Sequence, residues 1–122
     1  MGKRIIVAKR NNPFQTVVID ALKKSGYTVA AVTSDGKRCV ELYRELKPDL
    51  VILDLAISDM TGGMKILEIL RAENPPARVM MMCALGREFE AKECVRNGAA
   101  GFLMQPCKLS RLLETVNELI GQ

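Results

Sequence analysis

Pro48-Asp49-Leu50-Val51-Ile52-Leu53-Asp54 is the segment that says most about this chain. Four consecutive aliphatic residues after a proline and before a polar loop are typical of a strand that is buried on both faces, as in a parallel sheet. Asp54 closes that strand. Binding sites in open α/β sheets lie at the carboxyl ends of the strands. The segment therefore predicts a functional carboxylate at that edge of a sheet.

The rest of the chain alternates between strand-like and helix-like segments. Strands are predicted at residues 5–7, 27–32, 50–53, 78–82 and 99–104. Apolar residues at helical spacing follow each strand, and the five helices are predicted to begin at Pro13, after one of the capping residues Thr33, Ser34 and Asp35, near Met64, at Glu88 and at Leu109. Gly26 should end the first helix and Pro48 the second. Such alternation predicts an α/β fold with a parallel sheet covered on both faces.

The fourth helix, at residues 88–97, has the weakest pattern of the five. We expect its inward residues to be Phe89, Ala91, Cys94 and Val95.

Length and composition predict a single domain over residues 1–122. No stretch approaches the ~20 apolar residues of a membrane span. Only four apolar residues, 5–8, follow the basic N-terminus, fewer than the ~7–15 of a signal peptide. We therefore expect a cytoplasmic protein without membrane insertion.

The formal charge is +4 and the chain contains no histidine. The commonest metal ligand and the usual general base at neutral pH are thus missing. Lysines and arginines are spread along the chain, and only three phenylalanines and two tyrosines are present to stack on bases. This pattern favours solvated helix faces over direct nucleic-acid binding.

Several motifs together resemble the receiver domains of bacterial response regulators, from end to end of the chain. The strand that ends at Asp54, Gly62 in the following loop, the segment Gly98-Ala99-Ala100-Gly101-Phe102-Leu103 and Pro106 stand in the family's order. The resemblance implies a (βα)5 flavodoxin-like fold with strand order 2-1-3-4-5. It also implies that Asp54 occupies the phosphoacceptor position.

The other pocket positions of that family are replaced. Its two adjacent acids are Ala8 and Lys9 here, its serine or threonine is Cys83, and its lysine is Gln105. Mg²⁺ requires carboxylate ligands, whereas an alanine supplies none and an ammonium repels the ion. We therefore expect no bound metal or cofactor and no enzymatic activity of the domain's own.

Asp54 and Lys9 each have two open interpretations. Asp54 acts in signalling, or it only accepts hydrogen bonds from nearby loop amides, as aspartates often do in turns. Lys9 forms an ion pair with Asp54 where the family holds its Mg²⁺, or it extends into solvent along the rim of the pocket. The second interpretation of Lys9 is favoured by sequence alone.

Two further patterns suggest sites but favour simple packing. Cys83 is a candidate redox switch that would pair with Cys107, yet without a CxxC spacing the four cysteines are more simply reduced thiols. Three successive methionines, residues 80–82, suggest a soft metal site. Because neighbouring residues of a strand face opposite sides, core packing explains them better.

The resemblance leads to an interpretation as a protein-interaction module in two-component signalling that does not depend on conventional phosphorylation. Its partner would be a signalling protein, either a histidine kinase or a fused output domain. Contact would be made through the fourth helix, the fifth strand and the fifth helix, where Phe102 takes the family's switch-aromatic position. The alternatives are a working phosphoacceptor at Asp54 and a small-ligand binder at the carboxyl edge of the sheet.

Overall fold

The computed structural model describes residues 2–10, 13–57 and 62–121. It contains five strands and five helices in strict alternation: β1 (Arg4–Ala8), α1 (Pro13–Lys24), β2 (Thr28–Thr33), α2 (Gly36–Leu46), β3 (Leu50–Asp54), α3 (Gly63–Arg71), β4 (Val79–Ala84), α4 (Glu88–Arg96), β5 (Gly101–Gln105) and α5 (Leu109–Ile120). All strands are parallel, in the order β2-β1-β3-β4-β5. The predicted fold class and strand order are confirmed.

The sheet separates two hydrophobic clusters. One cluster fills the space under α2, α3 and α4, and the other lies under α1 and α5. The central strand β3 is buried along its whole length because it contributes side chains to both clusters. Met80 and Met82 belong to the second cluster and Met81 to the first, which confirms that these methionines are core residues on alternating faces.

The ends of α1 and α2 follow the predicted signals. Gly26, with φ of 94°, follows α1. Asp35 is the residue that caps α2, since its carboxylate accepts a hydrogen bond from the Lys37 amide. At the other end Lys47 has a left-handed φ of 44° immediately before Pro48.

The prediction of which α4 residues face inward is correct for two of the four residues. Ala91 and Cys94 are buried, but Phe89 is 74% exposed and Val95 is 44% exposed. Positions 91 and 94 are one helical turn apart and face the sheet, so position 89 lies on the opposite side of the helix and position 95 at its margin. The apolar spacing alone does not reveal which residues of so short a helix meet the sheet.

No helix in the described part of the chain has the length and hydrophobicity that crossing a bilayer requires.

Candidate functional site

The carboxyl edge of the sheet brings together the residues at the ends of β1, β3 and β5. Asp54 is the last residue of β3 and is 5% exposed. Ala8 ends β1 and is followed by Lys9, while Gln105 ends β5. Because parallel strands end at the same edge, residues far apart in sequence become neighbours here.

Both carboxylate oxygens of Asp54 accept hydrogen bonds. Oδ1 accepts one from the Ala56 amide at 3.0 Å. Oδ2 accepts one from the Arg10 amide and one from Arg10 Nε, each at 3.3 Å, and the second of these is an ion pair. The carboxylate thus binds loop amides, as one interpretation expects, and also a guanidinium that the sequence did not reveal.

Lys9 lies inside the protein, with 1% of its surface exposed. Its Nζ donates a hydrogen bond to Gln105 Oε1 at 3.1 Å and so connects the end of β1 to the end of β5. Burial lowers the pKa of Lys9, and the nearby charge of Asp54 partly opposes that effect. The expectation that Lys9 extends into solvent is wrong, because its aliphatic stem enters the sheet edge instead of following the rim.

The other interpretation of Lys9, an ion pair with Asp54, does not match the structure either, because a different residue forms that ion pair. Among the described residues, the cation within 4 Å of the Asp54 carboxylate is Arg10, whose side chain is 60% exposed. Arg10 follows Lys9 in a loop, where a basic residue usually faces solvent, so no periodic pattern identified it. The only signal was two adjacent cations directly after a buried strand.

Cys83 and Cys107 pack on opposite faces of the sheet. Cys83 belongs to the cluster under α2–α4 and is 1% exposed, whereas Cys107 packs against the cluster under α1 and α5. Burial is the main cause that raises the pKa of Cys83 to about 11. Both thiols are free. Pairing of these two cysteines as a redox switch is therefore wrong, since the sheet separates them.

The residues at this edge do not fit Mg²⁺. Ala8 is fully buried in the core and has no ligand atom, and the next residue brings an ammonium to the place where a metal would require a carboxylate. Asp54 is already paired with Arg10. Within the described residues, no group of three acidic, histidine or cysteine side chains could hold a metal ion.

A groove lies along β5 between α4 and α5. Its volume is about 490 Å³, and its walls include Val95, Phe102, Met104 and Arg111. Phe102 and Met104 are half-buried and pack against the cluster under α2–α4. The groove therefore combines a partly exposed apolar strand with a cation at its border.

Comparisons with known proteins agree with this architecture. Residues 5–117 match the family model of the response regulator receiver domain. The chain is 33% identical over 119 residues to the chemotaxis protein CheY of Thermotoga maritima, with 98% of each chain covered.

Two solved structures extend the likeness. The response regulator domain of Thermotoga maritima CheB matches with a TM-score of 0.87 and 25% identity, covering 98% of this chain and 96% of that one. NtrX from Brucella abortus matches with a TM-score of 0.87 and 23% identity, which concerns the fold alone, and this chain spans 27% of its length.

Proposed function

This chain belongs to the response regulator receiver domain family of two-component signalling, and we propose that it is a protein-interaction module whose output does not require Mg²⁺-dependent phosphorylation. The observation that carries the proposal is the state of Asp54. Its Oδ2 is held by Arg10 and its Oδ1 by the Ala56 amide. An attack on a phosphoryl donor would have to break one of these contacts.

The neighbouring residues support the same proposal. Phosphoryl transfer depends mostly on positioning and on neutralising charge. Here Ala8 and Lys9 give no ligand to a metal, and Gln105 brings no positive charge. We accordingly propose that the domain has no catalytic activity of its own and works without a metal or cofactor.

The groove along β5 is the proposed contact surface for a signalling protein or an output domain. Val95 is 44% exposed there, and Phe102 and Met104 present further apolar surface. Interfaces are typically built around such apolar and aromatic anchors with a polar rim, and Arg111 is suited to that rim. The Lys9–Gln105 hydrogen bond fixes the end of the strand that carries Phe102 and Met104.

The first test is a titration with beryllofluoride, with and without Mg²⁺, followed through the backbone amide signals in NMR. We expect beryllofluoride to cause no saturable shift around Asp54 in the wild type, and none in Asp54→Asn. Mg²⁺-dependent shifts that centre on Asp54 and vanish in Asp54→Asn would contradict the proposal and support the working phosphoacceptor.

The second test addresses the groove. Candidate partners are histidine kinases and output domains of the same organism, and binding to them is measured by calorimetry. We expect Val95→Lys to abolish binding and Asp54→Asn to preserve it. Val17→Lys is the matched control, because Val17 is 47% exposed on α1, a helix that does not border the groove. Equal effects of the two lysine variants would exclude the groove.

A further inference from the structure

The edge strand β2 has an unusual sequence. Its six residues, Thr28-Val29-Ala30-Ala31-Val32-Thr33, read the same in both directions and include no charged side chain. Among the strands of the described residues, β2 lies at the end of the sheet and pairs with β1 alone. Edge strands usually carry charges, prolines or bulges that hinder pairing with another chain. β2 has one such feature, a register shift against β1 at Ala30. None of the six positions has a charged residue or a proline.

The register shift in β2 turns the backbone N–H and C=O groups of both valines toward the open edge of the sheet. The Thr28 amide donates a hydrogen bond to the Lys3 carbonyl, and the Thr33 carbonyl accepts one from the Lys9 amide. Both threonines therefore direct their backbone groups toward β1. Thr33 is five residues after Thr28, and in a regular strand the backbone groups of two such residues would point in opposite directions. The register shift leaves Ala30 without a partner on β1 and absorbs this difference. Val29 follows Thr28 and Val32 precedes Thr33, and neighbouring residues of a strand alternate in direction. Val29 and Val32 therefore direct their N–H and C=O groups away from β1, toward the open edge.

The same shift places the two valine side chains on one face of the sheet. Val29 packs against the cluster under α1 and α5, and Ala31 against the cluster on the other face. Val32 follows Ala31 and therefore lies on the face of Val29. Its side chain is partly free, since Val32 is 43% exposed.

We propose that β2 pairs with β2 of a second copy of this chain, antiparallel and about a two-fold axis between Ala30 and Ala31. In that register Val29 lies opposite Val32 of the other copy at two symmetric places. Each valine pair would exchange two backbone hydrogen bonds, about four in total. The two valines of each pair would also contact each other on the same face, as cross-strand neighbours do.

A second copy fits this edge better than an unrelated strand does. A closed two-fold dimer requires a self-complementary surface, which the reversible sequence of β2 supplies. Although the chain carries a charge of +4, no like charges meet within the paired segment. The contact is small compared with the ~1,200 Å² of stable complexes, so we expect a weak dimer, half formed at roughly 0.1–1 mM.

Sedimentation equilibrium of the full chain between 20 µM and 1 mM tests this proposal. We expect the dimer fraction to increase with concentration, and a monomer at 1 mM would overturn the proposal. Val32→Pro removes an N–H group that has no partner on β1, so the fold should be kept while the dimer is lost. Val32→Lys is the second variant if the proline unfolds the chain, and Val32→Thr is the conservative control that should still dimerise.

Amide hydrogen exchange distinguishes this interface from any other. The amides of Val29 and Val32 should become protected as the concentration rises. The Thr28 amide is already bonded to Lys3 in the monomer and should not change. A dimer that persists in both Val32→Pro and Val32→Lys, or that leaves these two valine amides unprotected, would show that another surface associates.

Discussion

Lys9 carries a charge into a place that excludes water. Among the described residues, its ammonium donates a hydrogen bond to Gln105 Oε1, and its direct neighbour in sequence, Arg10, forms the ion pair with Asp54. Removing an ammonium from water costs free energy unless other charges and hydrogen bonds replace the solvent. Burial lowers the pKa of Lys9 although the charge of Asp54 opposes that effect, so the nearby carboxylate replaces the solvent only in part.

Lys9→Met should therefore increase the free energy of unfolding at neutral pH. The unfolded lysine titrates near 10.5, and the folded one titrates lower. Between these two pKa values the unfolded wild type binds more protons than the folded one, so wild-type stability rises with pH in that window. The advantage of Lys9→Met should accordingly shrink as the pH approaches 10.5.

Urea unfolding of both proteins from pH 7 to pH 10.5 measures this difference. Lys65→Met, at an exposed position of α3, is the control and should show no such trend. A constant or growing advantage of Lys9→Met would mean that burial of the charge is not what costs stability.

Residues at the site were harder to predict than the strands that position them. Asp54 was identified because it ends a run of four aliphatic residues, a signal that lies within one segment. The partners of Lys9 and Asp54 come from loops and from β5, and only the folded sheet brings Arg10 and Gln105 to them. No spacing in the sequence encodes those contacts.

At the scale of elements, the strand positions follow from sequence because each core strand has a continuous apolar run. All five predicted strands lie within two residues of their observed bounds. The orientation of α4 was not predictable in the same way. Its nine residues bury only Ala91 and Cys94, too few to distinguish an inward stripe from apolar residues that border a groove.

The junction between β3 and α3 leads to a prediction about Gly63. A Cβ atom at this position would lie 2.6 Å from the Asp54 carbonyl and 2.7 Å from Leu55 Cα. Backbone atoms cannot yield as a flexible side chain can. We expect Gly63→Ala to lower the free energy of unfolding by about 1–3 kcal/mol and to move the loop that carries Ala56.

Gly86→Ala is the matched comparison. Gly86 has φ of 96°, but apart from its two chain neighbours no atom of the described residues lies within 4 Å of the added Cβ. Gly86→Ala should lower the free energy of unfolding by roughly 1–2 kcal/mol, from backbone strain alone. Urea unfolding gives both costs, and the NMR signals of Ala56 and Arg10 should shift in Gly63→Ala only. Unchanged signals in Gly63→Ala would show that the α3 junction does not position the Asp54 loop.

At the scale of the whole molecule, the thiols report how the two sides of the sheet open. Cys39, Cys83 and Cys94 all lie in the cluster under α2–α4, whereas Cys107 is half-buried against the other cluster. Burial raises the pKa of Cys39 to about 12 and that of Cys83 to about 11. Because the thiolate is the reactive form, these cysteines should be inert in the closed protein.

Labelling with a disulfide reagent at pH 8 should therefore show two classes of thiol. We expect Cys107 to react first, and the three clustered cysteines to share one slower rate set by cooperative opening of their side of the molecule. Gly63→Ala should accelerate that shared rate and leave the rate of Cys107 nearly unchanged, because it weakens the packing of α3 over the cluster.

If Cys83 instead reacted as fast as Cys107, separately from Cys39 and Cys94, the carboxyl edge would open locally. The thiol beside Asp54 would then be accessible in the native state, and the cluster would not be a single cooperative unit.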